Sequence, residues 1–479
     1  MSDVSISLDY YIKPRTAFNV EDAVAAMRRA LSSSECSRDG GPSLAGLIAY
    51  AAPVGATIFL WMPTMSILPG LYAKYFGLPL AAVGSVLLIT RLADGITDPA
   101  IGFFADLHRA AGGSYKTWIG VGGCGLVIAS YFLFSPPAPV LQGYYLFWSL
   151  AFYIAWTLVD IPHAAWGSAL AADYVGRARV YGFRTTAIFC GLIIFYAIPF
   201  LPLFASSEFT PDTMRWTAYV GAALMLTSLA AMWWAPNGET PSSSSGDTAR
   251  GFARAIISNK PLVLFLVTYF TAGLSYGMWF GLVFLFLDGY LHLGGKISVI
   301  FLLGNMAGML SMPLWLRLTQ LTSKSATWAM GIALFVLLQC GCAVTHPGDA
   351  WWISLIVIGG VYVSFACQTM AAQAILGDIA DYGNLKFRRN RGATYYALLT
   401  LSYKATSGLG AGLALWIAGY FGFDVSAHAQ NPSAVIGLRL GFIVLPGLCA
   451  TVAFTLSLLT PITKRRHVVI RRRLSVRCR

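Results

Sequence analysis

The sequence predicts an all-α integral membrane protein with twelve transmembrane helices, and three observations lead to that prediction. The composition is strongly apolar, because 57% of the 479 residues are hydrophobic, only 11% are charged and the mean hydropathy is +0.65. Apolar runs recur along the chain, and each is long enough for a helix that crosses hydrocarbon, which takes about 20 residues. Lys and Arg residues are concentrated in alternate loops between these runs. This pattern excludes an ordinary soluble globular domain.

Each apolar run predicts one helix, and a polar break divides the twelve runs into two sets of six. In order, the predicted helices lie near residues 46–73, 79–104, 115–135, 142–172, 182–205, 214–235, 261–287, 293–316, 326–344, 350–380, 392–421 and 436–460. The break is the Ser-rich stretch TPSSSSGDTARG at 240–251. AADY ends the fourth run and ADY ends the tenth, which indicates a parallel internal repeat.

The division predicts five parts of the chain. They are a cytoplasmic tail at 1–43, a six-helix bundle at 44–235, a cytoplasmic linker at 236–260, a second six-helix bundle at 261–460 and a basic cytoplasmic tail at 461–479. The first 43 residues lack the apolar core of a secretory signal peptide. Because the basic tail directly follows a membrane span, we expect it to contact anionic lipid headgroups rather than nucleic acid.

The distribution of basic residues predicts the orientation in the membrane. With the N-terminus inside, 26 of the 33 Lys and Arg residues fall in the tails and loops on the cytoplasmic side. The opposite side receives four, which are Lys74, Arg215, Lys296 and Arg439. Basic loops are retained in the cytoplasm, so both termini are expected there.

Six charged residues remain inside the predicted helices, and their signs balance. They are Arg91, Asp94, Asp98, Asp160, Arg184 and Lys404. A charge buried in hydrocarbon costs several kcal/mol unless it is paired or hydrated, which is the usual reason that such residues mark a transport pathway. The set therefore predicts a polar internal cavity.

The stretch RLADGITDPAIG at 91–102 places three of these charges on one face of the second helix. Arg91, Asp94 and Asp98 follow the i, i+3, i+7 spacing, so both carboxylates can point into one small volume. Pro99 cannot donate a backbone hydrogen bond, which predicts an irregular helix at this point. Two carboxylates suit a monovalent cation or a shared proton. An ion pair in which Arg91 only neutralises Asp94 is the alternative.

Several motifs together resemble the melibiose permease family. The motifs are RLADGITDPAIG, YKTW at 115–118, TLVDIPHAAWG at 157–167, DIADYG at 378–383 and the lysine of LTLSYKATSG. This family is the glycoside-pentoside-hexuronide cation symporter branch of the major facilitator superfamily. The resemblance implies that superfamily's fold of two six-helix bundles. It also implies a secondary transporter that couples substrate to sodium, lithium or a proton by alternating access.

The resemblance assigns roles to residues by position. Asp94 and Asp98 match the cation-binding pair, and would be the sodium ligands of a sodium-coupled carrier, with Thr157 and Lys404 beside them. Asp160 matches the acid that accepts hydrogen bonds from substrate hydroxyls, and Arg184 matches the arginine next to it. For this last pair, a simple salt bridge between helices is the alternative.

Two departures from the family pattern concern the substrate. The helix-one stretch GATIFLWMP at 55–63 lacks the family's second substrate-binding acid, and Ala164 replaces a tryptophan on which a sugar ring can lie. Trp156 is our candidate for a substitute stacking residue, with Trp61 and Trp166 as alternatives.

The stretch GFFADLHR at 102–109 resembles the superfamily's loop motif that latches the two halves on the cytoplasmic side. It predicts gate or charge-balance roles for Asp106 and Arg109 beside Arg91 in the same helix. Asp378 and Asp381 are candidates for comparable gate pairs, as are Asp173, Arg388 and Arg389.

We therefore expect a cofactor-free, monomeric carrier of the bacterial cytoplasmic membrane that contacts lipids and takes up a small molecule, with a glycoside, sugar or uronide favoured. A cation-coupled carrier of lysolipids or other amphiphiles is one alternative. A membrane enzyme is another, but its nucleophile, base or metal ligands would have to share one face. The six scattered histidines supply no such set.

Overall fold

The computed structural model describes residues 43–170, 174–237, 258–387, 392–425, 427 and 430–459. The predicted tails, most of the predicted linker, and Asp173, Arg388 and Arg389 lie outside these ranges. Every regular element of the described residues is helical. We number the α-helices as follows: α1 Leu44–Ser66, α2 Leu68–Phe76, α3 Leu80–Ala110, α4 Tyr115–Phe134, α5 Gln142–Ala169, α6 Tyr174–Ala197, α7 Pro211–Met232, α8 Lys260–Leu285, α9 Ile297–Leu321, α10 Lys324–Ala343, α11 Trp351–Phe387, α12 Gly392–Tyr420, α13 Pro432–Arg439 and α14 Leu445–Leu458.

The helices follow the apolar runs of the sequence. Each predicted segment contains at least one α-helix, and in the described residues ten helical stretches are long and apolar enough to cross a membrane. The helices α7 and α12 are not among those ten. The prediction of an all-α membrane protein is confirmed, whereas the number of twelve spans stays a prediction.

Proline positions account for some breaks between helices but not for others. The first predicted segment forms two helices, α1 and α2, which meet at Ile67 four residues after Pro63. In contrast, α3 continues through Pro99 without interruption. The prediction that the helix is irregular at Pro99 is therefore wrong in the sense of a break in the helix. Pro99 still has no N–H, so it donates no backbone hydrogen bond to the carbonyl of Gly95.

The first and second halves of the chain meet where α3 packs against α12 and where α6 packs against α9. Glycines permit the close approach of α3 and α12. A Cβ atom on Gly84 would lie 2.8 Å from the carbonyl oxygen of Gly412, and one on Gly419 would lie 2.7 Å from the backbone nitrogen of Ala81. This contact brings the charged residues of α3 next to those of α12.

The halves also meet at the end of the molecule that is predicted to face outwards. Lys74 forms an ion pair of 2.6 Å with Asp288. Ser207 donates a hydrogen bond to the carbonyl of Gly295 over 3.0 Å, and it accepts one at its own carbonyl from Ser298 over 2.6 Å. These contacts join the two halves on that side.

Candidate functional site

The guanidinium of Arg91 is held on α3 by three neighbours. Nη1 donates to Asp94 Oδ2 over 2.7 Å, as the i, i+3 spacing predicts. Nη2 contacts the sulfur of Met65 at 3.3 Å, and the guanidinium carbon lies 3.9 Å from the centre of the Tyr153 ring. The side chains of Arg91 and Asp94 are only 2% and 5% exposed, so the charges pair almost without water.

Asp98 joins three helices. One of its carboxylate oxygens accepts a hydrogen bond from the hydroxyl of Thr157 on α5 over 2.9 Å. The other accepts one from the ammonium of Lys404 on α12 over 2.8 Å. The side chains of Asp98 and Lys404 are 10% and 3% exposed. Asp98 therefore ties two helices of the first half of the chain to a helix of the second half.

Lys404 has an aromatic neighbour as well as a carboxylate. Its ammonium lies 4.3 Å from the centre of the Trp156 ring, a cation–π distance. Trp156 in turn stacks on Trp61 of α1 at 5.6 Å between ring centres. Both indoles are buried, and neither N–H has a hydrogen-bond partner among the described residues. The structure thus places Trp156 inside the charged cluster rather than on an open surface.

Together, Arg91, Asp94, Asp98 and Lys404 form two ion pairs whose charges sum to zero when all four are ionised. Carboxylate and hydroxyl oxygens are the ligands that hard cations prefer, and Asp94, Asp98 and Thr157 supply only such oxygens. In this conformation the neutralising charges come from the protein itself. A bound cation therefore has to displace part of this pairing.

The other two intramembrane charges form an ion pair of their own. Arg184 Nη2 on α6 donates to Asp160 Oδ1 on α5 over 2.7 Å. The two side chains are 21% and 19% exposed, compared with 2% to 10% for those of the buried cluster. Asp160 follows Thr157 by one helical turn on the same face of α5. The pair is thus a more accessible polar site next to the buried one.

A buried histidine extends this second site, and sequence reasoning missed it. His163 follows Asp160 by three residues and is fully buried. Its Nε2 donates to the carbonyl of Tyr50 over 2.7 Å, and its ring stacks on the Tyr50 ring at 4.4 Å. In the part of the chain that the structure describes, Nδ1 of His163 and the hydroxyl of Tyr50 are buried and have no hydrogen-bond partner. The DIPHAAW spacing was the available signal, because it places His163 one turn after Asp160.

Comparison with known families identifies the chain. Residues 49–464 match the model of a family described as MFS/sugar transport protein. The chain belongs to that family. Among its curated relatives, an uncharacterized symporter of Bacillus subtilis (strain 168) is 23% identical over 83% of this chain and 88% of the relative. A putative glycoside/cation symporter of Escherichia coli (strain K12) is 21% identical over 89% of this chain and 94% of the relative.

Solved structures agree on the fold. A bacterial homologue of the human lysosomal transporter Spinster, in an inward-facing and unoccupied conformation, has a TM-score of 0.64 at 11% identity. That comparison covers 88% of this chain and 97% of the other. A nucleoside transporter has a TM-score of 0.63 at 12% identity, covering 88% of this chain and all of the other.

These matches confirm the resemblance to the glycoside-pentoside-hexuronide symporters of the major facilitator superfamily. The matched family and the two curated relatives named above are transporters, so this protein is a transporter and not an enzyme. The described residues contain ten helices that are long and apolar enough to cross a membrane, so the protein is an integral, multi-pass membrane protein.

Two predicted gate residues of this MFS protein, near the end of α3, have contacts in the first half of the chain and at the start of the predicted linker. Asp106 accepts a hydrogen bond of 3.0 Å from the Tyr115 hydroxyl. Arg109 donates to the carbonyls of Gly113 and Asn237, over 3.2 and 3.5 Å.

In the second half, Asp378 pairs with Lys324 at 2.5 Å. Asp381 lies on the same helix, α11, one turn further on. The predicted latching of one half to the other stays a prediction.

The structure adds Tyr153, Met65 and Gly408 to the residues around the buried cluster. A signal for Tyr153 was present, because residues 153, 156, 157 and 160 follow the spacing of one helix face. Met65 carries no charge, so nothing in its pattern suggested the contact with Arg91. Gly408 belongs to GLGAG, which reads as a helix-packing motif.

Proposed function

We propose that this protein is a cation-coupled symporter for a glycoside, sugar or uronide. It crosses the bacterial cytoplasmic membrane twelve times with both termini inside, works as a monomer and alternates between inward-facing and outward-facing states. The observation that carries the proposal is that Asp98 accepts hydrogen bonds from both Thr157 and Lys404. One buried carboxylate thereby links helices from both halves, which is where ion binding can influence their relative position.

In this proposal Asp94, Asp98 and Thr157 provide oxygen ligands for sodium or lithium, or the carboxylates take up a proton. Lys404 and Arg91 neutralise the carboxylates when the cation is absent. Binding of the ion displaces at least one of them, since the four charges already balance without it. The affinity of Asp94 and Asp98 for an added cation thus depends on how strongly the two carboxylates are paired with Arg91 and Lys404.

The substrate binds at the pair of Asp160 and Arg184. A carboxylate accepts hydrogen bonds and a guanidinium donates them, so together they can hold neighbouring hydroxyls of a sugar. Support comes from the partial exposure of both side chains, 19% and 21%, next to a buried cation cluster. Thr157 lies one turn before Asp160 on α5 and donates a hydrogen bond to Asp98 on α3. It therefore offers a direct structural route between the two sites. Trp156 remains our candidate for contact with the substrate ring, because it lies one turn before Asp160 on the same face of α5, although in this conformation its indole is buried against Lys404.

Transport by purified protein in proteoliposomes tests this function. Labelled glycosides, uronides and lysolipids are offered under an imposed sodium, lithium or proton gradient, and again after an ionophore has collapsed the gradient. We expect one sugar-type class to accumulate above its outside concentration only while one gradient persists. Accumulation of lysolipids alone would replace the sugar assignment by an amphiphile carrier. Equal uptake with and without every gradient would reject symport.

A further inference from the structure

Gly408 on α12 faces the side chain of Arg91 on α3. A Cβ atom built on Gly408 would lie 1.8 Å from Cγ, 2.2 Å from Cδ and 2.3 Å from Nε of Arg91. Real Cβ atoms do not approach other atoms this closely, so even a methyl group at 408 and the present position of Arg91 exclude each other. The space that Gly408 leaves is filled by the stem of one specific charged side chain.

Arg91 has little freedom to move aside. The atoms nearest to the built Cβ are Cγ and Cδ of the stem and Nε of the guanidinium, and the two terminal nitrogens and central carbon of that guanidinium are held by Asp94 at 2.7 Å, Met65 at 3.3 Å and the Tyr153 ring at 3.9 Å. The residue is only 5% exposed, so a displaced side chain has to move among other protein atoms. Moving the stem therefore moves the guanidinium relative to the carboxylate of Asp94.

We propose that Gly408 is a positioning residue for the cation site, because its lack of a side chain leaves the space in which Arg91 can lie against Asp94. We call this space at Gly408 the seat of Arg91. It belongs to the second half of the chain, whereas Arg91 and Asp94 belong to the first. The pairing of Asp94 is therefore sensitive to the position of α12 against α3. The position of Arg91 follows from the geometry alone, and the proposal rests on the proposed function only in naming Asp94 as a cation ligand.

Chemical modification tests the seat without requiring that the transported ion be known. A guanidinium in contact with a carboxylate shields it from dicyclohexylcarbodiimide, so the rate of labelling at Asp94 reports on Arg91. The rate is measured on the purified full-length protein by peptide mass spectrometry. We expect Gly408→Ala and Arg91→Ala each to increase it about tenfold, within the range of couplings between contacting residues. The double variant should show no further increase.

Two glycine controls separate seating from helix packing. Gly412→Ala also crowds the interface of α3 and α12, since its Cβ would lie 2.6 Å from Leu88, but it does not meet Arg91. Gly95→Ala follows Asp94 directly, yet among the described residues its Cβ meets nothing within 4 Å beyond its own stretch of helix. Gly95→Ala should leave the labelling rate of Asp94 near that of the unaltered protein. Gly412→Ala should raise the rate less than Gly408→Ala does, because it reaches Arg91 only through a shift of α12 against α3.

The proposal is overturned if Asp94 is labelled at the unaltered rate in Gly408→Ala or in Arg91→Ala. It is also overturned if Gly408→Ala increases the labelling rate just as much when Arg91 has already been replaced by alanine. If Gly408→Ala does not fold, recovery of folding in the double variant supports the seat, because Arg91→Ala removes the clash. Failure of both variants to fold overturns it.

Transport gives a separate readout. With any gradient that drives uptake, the half-saturating cation concentration should fall about tenfold in Gly408→Ala, because Arg91 no longer competes for Asp94. Absence of gradient-driven uptake in the unaltered protein would reject the proposed function, while the labelling result would still decide the role of Gly408.

Discussion

Replacing Asp98 by asparagine separates the structural and coupling roles of the buried cluster. The substitution keeps the size of the side chain and one carbonyl oxygen, but it removes the charge that pairs with Lys404 at 2.8 Å. The ammonium of Lys404 is 3% exposed, so it then lies in the protein without a counterion. The cluster of four charges changes from neutral to a net charge of plus one.

The expected loss of stability follows from this geometry. Breaking a buried ion pair from one side costs about 3 to 5 kcal/mol. Two contacts reduce the cost, since the asparagine oxygen still accepts one hydrogen bond and the Trp156 ring at 4.3 Å still attracts the ammonium. We expect a loss of about 3 kcal/mol, near the lower end of that range. The double variant Asp98→Asn with Lys404→Met should recover most of it, because a buried pair can be replaced by neutral groups at little cost.

Transport measured in the same variants shows whether coupling follows stability. In proteoliposomes, Asp98→Asn should lose gradient-driven accumulation and retain exchange of substrate, because the substrate pair of Asp160 and Arg184 is intact. The double variant should regain thermal stability but not accumulation. Asp212→Asn is the matched control, since the ion pair of Asp212 within the described residues is an exposed contact of 3.7 Å with Arg215. Undiminished accumulation by Asp98→Asn would mean that Asp98 takes no part in coupling.

Three further predictions concern neighbouring contacts. Asp160→Ala should raise the KM for substrate at least about tenfold while the labelling of Asp98 by carbodiimide stays sensitive to the driving cation; loss of that sensitivity would mean that the two sites are one. Trp156→Leu should remove the cation–π contact with Lys404 and lower the midpoint of thermal unfolding, and Trp156→Phe should give an intermediate midpoint. Equal midpoints for the unaltered protein and both variants would mean that this contact does not stabilise the fold. Partial burial lowers the pKa of Lys74, but its hydrogen bond and charge interaction with Asp288 outweigh this, so the pKa lies above the ordinary 10.5. The pair should therefore keep the outer side closed at neutral pH, and on the alkaline side it should weaken once the pH rises beyond that value. A membrane-impermeant thiol reagent, applied to a cysteine placed beside the pair, should detect this opening, and in Asp288→Asn it should already react with that cysteine at neutral pH.

The sequence predicted the interactions that one helix contains better than those between helices. Arg91 and Asp94 are three residues apart, so helical geometry alone brings them together. Asp98 and Lys404 are 306 residues apart, and only the family resemblance suggested that they meet. The contact depends on how α3 and α12 cross, which follows from packing along the whole of both helices.

Uncharged residues of the cluster were harder to predict for a different reason. The Tyr153 ring contacts Arg91, and Gly408 leaves the space that the Arg91 side chain occupies. Aromatic and small residues are common throughout membrane helices. Nothing in the sequence pattern distinguishes Gly408 from glycines that only pack, whereas Tyr153 at least shares a helix face with Trp156, Thr157 and Asp160. For both residues, the contact with Arg91 becomes visible only when the distances are known, 3.9 Å for the Tyr153 ring and 1.8 Å for a Cβ at 408.

The position of α12 provides a physical basis for coupling. It supplies Lys404, which neutralises Asp98, and Gly408, which leaves room for the arginine that neutralises Asp94. A ligand shifts a conformational equilibrium only by the difference between its affinities for the two states. With α12 packed against α3, both carboxylates are neutralised internally and an external cation gains little. Movement of α12 away from α3 would take Lys404 away from Asp98, whereas Arg91 and Asp94 share α3 and can stay paired, so the affinity of Asp98 for the cation would change at the step that exchanges the two states. By reciprocity, cation binding would favour the separated arrangement by the same free energy.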